Sequence, residues 1–111
     1  MTAKDVHVVP VGRRRASFYA LGCIAAVASG YRSVVLKARG ARIADAVNVS
    51  QLVTRLAPHI QVSKVEIGSE RRSRGDRVVD VSTMEITLEP KRGAEAKEAK
   101  KPAKKITRLS G

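Results

Sequence analysis

The stretch that most constrains the fold is residues 33–38, Ser-Val-Val-Leu-Lys-Ala. Its apolar side chains fall on both parities, where a half-buried strand would alternate. That pattern marks a strand covered on both faces, as in a parallel-type position. Gly40 then interrupts the run, and a helical period begins at residue 41. The same event occurs earlier. Residues 6–11, VHVVPV, read as a short strand that meets Gly12 and three arginines before another helical pattern. Pro10 confines that strand to an edge or places the proline near its end.

The first helix is predicted over 14–29, with Phe18, Leu21, Ala25 and Ala28 on one stripe. Ile24 and Val27 make it apolar on a second side, and Gly30 is its C-terminal stop. The second helix is predicted over 41–56 and is ended by Pro58. Ile43, Ala46, Val47, Val49, Leu52, Val53 and Leu56 spread over more than half of its circumference. A sheet alone does not cover so wide a face. Either a second copy of the chain or the first helix must supply the rest.

Residues 60–70 and 77–89 form the last two strands. Apolar parity switches between Val62 and Val65, and again between Val81 and Met84. With the tip at Arg74-Gly75 these breaks sit roughly opposite each other. They predict a long hairpin that bends or bulges and turns a different face inward at its outer end. The order β-α-β-α-β-β is that of an α+β two-layer sandwich, with two helices on one face of a four-stranded mixed sheet.

A chain of 111 residues that is 43% hydrophobic suits one domain, placed at 1–89. Residues 90–111 hold eight basic and two acidic residues with little apolar content, and are expected to be a disordered basic tail. The tail thus holds half of the net charge of +12, so the folded part is basic as well. Such a balance calls for a polyanionic partner, with nucleic acid in the lead. No basic amphipathic helix, lipidation signal or run of 18 apolar residues points to a membrane. The N-terminus lacks a signal-peptide core, and the single Cys23 excludes an internal disulfide framework. A soluble cytoplasmic location is expected. With 3% aromatic residues, base stacking on an aromatic platform is a poor model for binding.

The two corners explain the charge. A helix start offers unsatisfied N–H groups and a partial positive charge, which suit an anion. Gly12 and Gly40 let the backbone approach a ligand. Arg13, Arg14 and Arg15 at one corner, and Lys37, Arg39 and Arg42 at the other, add donors suited to phosphate. Both corners are expected on one sheet edge, as one basic patch. Arg71, Arg72, Arg74 and Arg77 surround the predicted hairpin tip.

The segments "VVLKARGARIADAVNV", "VGRRRASFYAL" and "VSTMEITL" resemble the Alba family of archaeal chromatin and RNA-binding proteins. The resemblance spans residues 6–89. It implies a dimer of β-α-β-α-β-β subunits, similar in fold to the C-terminal domain of a bacterial translation initiation factor. It implies binding of double-stranded DNA and RNA without marked sequence preference, association with the chromosome, hairpin arms along the minor groove and a basic body on phosphates. The family's paired lysines fall on Arg13 and Arg14, its "KARG" basic residues on Lys37 and Arg39 beside Gly40, and a first-helix tyrosine on Tyr19. Three departures stand out. Arginine replaces the lysine pair, which calls lysine acetylation there into question. The basic residue usual after "KARG" is Ala41, with Arg42 one place later. Ala57 lies where some members carry an exposed phenylalanine that joins dimer to dimer. A paralogue with weaker spreading on DNA, one that forms homodimers or mixed dimers, fits that change.

An RNA-binding subunit of a ribonucleoprotein or processing complex is the alternative, since it would use the same basic surface. An enzyme is not expected. His7 and His59 lack metal spacing, and neither has a paired carboxylate nearby in sequence. Cys23 reads as a small core residue. No base is identifiable for Ser17 or Tyr19, and "GARIAD" is not a P-loop. No cofactor or metal is implied.

Overall fold

The computed structural model describes residues 4–91. The elements are β1 (Lys4–Pro10), α1 (Ala16–Ala28), β2 (Tyr31–Arg39), α2 (Arg42–Leu56), β3 (Ile60–Arg74) and β4 (Arg77–Pro90). The strands form one sheet in the order β1-β2-β4-β3. β1 runs parallel to β2, while β4 runs antiparallel to β2 and to β3. This is the expected α+β architecture. Pro10 ends the edge strand β1, where its missing N–H breaks no inner ladder. β4 runs through Pro90, and the Lys91 N–H reaches the His59 carbonyl at 2.6 Å. The rest of the expected basic tail, residues 92–111, lies outside the described residues.

β2 is a central strand, but the coverage expected on both faces is found on one only: on the other, Ser33 is buried and Val35 half-buried, and Lys37 and Arg39 are exposed because no second layer lies there. Val34, Leu36 and Ala38 face the helices and are buried. Lys37 and Arg39 have the opposite parity and emerge on the helix-free face. The core joins these residues to Tyr19, Ala20, Cys23 and Ala26 of α1, and to Ala46, Val49 and Val53 of α2. Ile60, Ile86 and Leu88 close it from the hairpin.

Two expectations about faces fail. In α1 the predicted stripe of Phe18, Leu21, Ala25 and Ala28 is exposed. The helix is apolar nearly all round, so either face was available. The small side chains Ala20, Cys23 and Ala26 face inward and permit a closer approach to α2 and β2 than the large ones. In the hairpin there is one register shift, between Val62 and Lys64, opposite Leu88 and Thr87. The extra residue Ser63 keeps Val65 and Ile67 on the face already used by Ile60 and Val62. The parity break in β3 therefore preserves a face. Beside the break in β4 the register is continuous, and the two breaks are not opposite each other. The outer end of β4 does turn Val79 and Val81 toward the start of α2. Both line a hollow with Gly40 and Ile43.

Candidate nucleic-acid interface

α1 begins after Arg15, which is extended (φ −64°, ψ 152°) and offers no side-chain cap. No acidic residue lies in its first turn. Its leading N–H groups are thus not neutralised from within. In front of it, Arg13, Arg14 and Arg15 are all exposed. Tyr19 shapes this corner from below. It is 9% exposed, and its hydroxyl accepts hydrogen bonds from the Gly12 N–H at 2.8 Å and the Arg14 N–H at 3.4 Å. A Cβ at Gly12 would stand 3.2 Å from that hydroxyl oxygen, so an internal contact accounts for the glycine. No ligand is needed to explain it.

The second corner turns at Gly40, whose φ of +57° disfavours any side chain. Its N–H donates to the Ser82 carbonyl at 2.8 Å, which fixes where the chain leaves the sheet. Arg42 then opens α2 and pairs with Asp45 at 2.9 Å.

The structure brings Arg42 together with Arg13, Arg14 and Arg15 around one hollow, in which Asp45 is the acidic member. It does not add Lys37 and Arg39 to that group. Those two side chains line a different hollow with Glu70, Glu85 and Thr83. The charge expected as one patch is therefore divided between the helix starts and the open face of the sheet. Arg39 contacts Glu70 at 2.9 Å, and Lys37 contacts Glu85 at 3.6 Å. Glu70 also holds Arg72 at 3.0 Å, so one carboxylate joins the body to the arm. Arg71 pairs with Asp80 at 3.4 Å. The Glu70 and Glu85 pairs are about half exposed and the Arg71–Asp80 pair more so, so each holds its geometry weakly and a phosphate can compete for the cation. Arg74 and Arg77 face each other across Gly75-Asp76, at the very tip. Gly75, at the first central position with φ +64°, fits a type II′ turn.

Sequence reasoning missed Glu70 and Glu85 as partners of the body's cations. Glu70 and Arg72 share a face by strand parity, which was legible, but Arg39 lies 31 residues from Glu70. It also missed Phe18, which stands outside the core. Ala57 is 4% exposed, and the exposed apolar side chain at that end of α2 is Leu56, at 56%. The comparison of Ala57 with a surface phenylalanine therefore concerns a position that faces inward. Cys23 is fully buried, and burial pushes its thiol up to about 11.

A family model described as Alba matches residues 7–69, more than half of the chain. The chain belongs to the Alba family. The DNA/RNA-binding protein Alba of Pyrobaculum neutrophilum is 35% identical over 86 residues, covering 75% of this chain and 94% of that one. The DNA/RNA-binding protein Alba of Methanococcus maripaludis is 33% identical over 85 residues, covering 74% and 96%. Among solved structures, Alba from Thermoplasma volcanium superposes with a TM-score of 0.70 at 24% identity, over 75% of this chain and 99% of that one. That likeness concerns the Alba fold. Among the described residues no helix is long and apolar enough to cross a membrane.

Proposed function

We propose that this chain binds double-stranded DNA and RNA without marked sequence preference, as a dimeric chromosome-associated protein of the cytoplasm. The observation that carries the reading is the convergence of Arg13, Arg14, Arg15 and Arg42 at the two helix starts. One of these starts has neither cap nor acid. Backbone N–H groups and guanidinium forks aimed at one place suit phosphate oxygens. The relatives named DNA/RNA-binding support the same ligand class.

In this reading the helix starts meet the phosphate backbone. Lys37 and Arg39 meet it from the other face of the sheet, and Gly40 sets the corner between them. The arms carry Arg71, Arg72, Arg74 and Arg77 into the minor groove, where arginine reads width and A·T content. Two arms need two copies of the chain, identical or paralogous. The folded unit would be 1–89, with the basic tail adding charge. The role is binding and compaction, not catalysis, and it calls for no cofactor.

Equilibrium binding to a duplex DNA and a matched duplex RNA, each across several salt concentrations, tests it. Counterion release predicts steep and similar slopes on both. Arg39→Gln is expected to weaken all sequences alike and to flatten the slope by about 1. An unchanged slope would remove Arg39 from the interface. Tight binding with a shallow slope to RNA alone would replace the chromatin role with a ribonucleoprotein one.

A further inference from the structure

Phe18 and Leu21 are large apolar side chains of α1 that stay outside the core, 53% and 61% exposed. Phe18 is also the sole phenylalanine of the chain. Its position is not an isolated apolar spot. The Arg14 guanidinium lies over its ring, 4.7 Å from the centroid. The Phe18 and Tyr19 rings stand nearly perpendicular, with centroids 5.3 Å apart at 84°. Together with Arg13, Arg15, Ser17 and Leu21, Arg14 and Phe18 line one open depression. No acidic side chain lines it. Among the described residues, no ion pair engages Arg13, Arg14 or Arg15. The uncapped start of α1 lies alongside.

A purely apolar partner has no use for three arginines, and a lone phosphate has no use for a ring. An unpaired nucleotide uses both. Its base presents a flat π-face and its phosphate a charge, and aromatic stacking beside basic groups is how single strands are held. In a duplex the bases already stack on each other and leave Phe18 nothing to stack on.

We propose that Phe18 is a stacking site for one unpaired base of single-stranded nucleic acid, with Arg13 and Arg15 on the neighbouring phosphates and Arg14 bracing the ring. The proposal rests on the nucleic-acid reading above and deepens it at one corner. Because the site is one ring, it gives a contact to one base and not a platform for several.

The chain contains no tryptophan. In full-length Phe18→Trp all indole emission therefore comes from position 18. It is expected to be quenched by a short oligoadenylate and unchanged by a saturating blunt DNA duplex. Phe18→Ala and Phe18→Leu are both expected to lose about 5- to 100-fold in affinity for the oligoadenylate while staying within about twofold of the parent on the duplex. The leucine variant keeps the apolar surface, so its loss isolates stacking. Overturning results are an equal loss on both ligands, full affinity in Phe18→Leu, or no quenching by the single strand. Sedimentation of Phe18→Ala supplies a further check. Weaker self-association in that variant would assign the ring to a second copy and overturn the proposal. If the parent chain binds neither ligand, the nucleic-acid reading falls and takes this one with it. If it binds both and the variants match it, this proposal alone falls.

Discussion

Tyr19 turns its hydroxyl back onto the loop in front of it, and one removed atom would expose how much the corner depends on it. Tyr19→Phe keeps the buried ring but leaves the Gly12 N–H without its acceptor. A fully buried donor left unsatisfied costs about 1–3 kcal/mol, and for this part-buried one that range is the ceiling. Denaturant unfolding is expected to show a loss up to that ceiling. Duplex affinity should fall severalfold in parallel, because Arg13 to Arg15 would lose the loop that presents them. An unchanged midpoint would mean that solvent replaces the hydroxyl. Cys23 makes a different prediction, through pH. Burial raises its thiol from 9.0 to about 11. Below about pH 9 the thiol is neutral in both folded and unfolded chains and costs nothing. Above that the unfolded thiol ionises and the buried one does not. The unfolded state then holds fewer protons, and stability is lost as pH rises toward 11. The loss tops out at about 2–3 kcal/mol. Cys23→Ala should unfold with a shallower alkaline slope than the parent, and equal slopes would show that the thiol does not contribute.

At the scale of elements, Glu70 of β3 ties the root of the arm to the body by holding Arg72 of its own strand and Arg39 of β2. The two cations it engages are among those proposed to meet phosphate, so the carboxylate competes with the ligand. Glu70→Gln removes the competing charge and keeps the shape. Duplex affinity is expected to rise about 3- to 10-fold at low salt, with a salt slope steeper by up to about 1. A fall in affinity would instead show that the clamp positions the arm. Nothing local in the sequence announces this clamp, because two of its members meet only through sheet pairing. The same limit explains what was and was not legible elsewhere. Element order, the corners at Gly12 and Gly40, and the stop at Gly30 follow from short-range chemistry, and all appear where expected. Which side of α1 faces inward does not follow from periodicity, since that helix offers apolar residues on every side. It is set by which face is small enough to approach α2 and β2. The parity break in β3 signalled a bulge correctly. That the bulge keeps Val65 and Ile67 on one face with Val62 depends on the register against β4, which the sequence of β3 does not contain.

For the whole molecule, the question is what covers that face. β3 is the edge strand opposite β1, and its side chains Val62, Val65 and Ile67 are 41%, 52% and 78% exposed. They lie opposite Leu88, Ile86 and Met84, on the side of the sheet that carries the helices. Leu56, at the end of α2, is exposed as well. α1 accounts for part of the wide apolar face of α2, leaving Ile43, Val47 and Leu52 only partly buried. An apolar strip along an edge strand is an aggregation hazard in a single copy, and one that a symmetric partner removes. A two-fold pairing through β3 and α2 would bury the strip in both copies and leave the arms projecting as a pair. Ile67→Glu tests this directly, because a side chain already 78% exposed has little to lose in the single chain. The variant is expected to keep its fold by circular dichroism and to sediment as a monomer where the parent sediments as a dimer. Its thermal midpoint should no longer rise with protein concentration. Duplex affinity should fall about 100-fold or more, since the two arms would lose the avidity that linkage provides, while the salt slope halves. A variant that remains dimeric would move the interface off β3. A monomeric variant that keeps full affinity would show that one body and one arm suffice for binding.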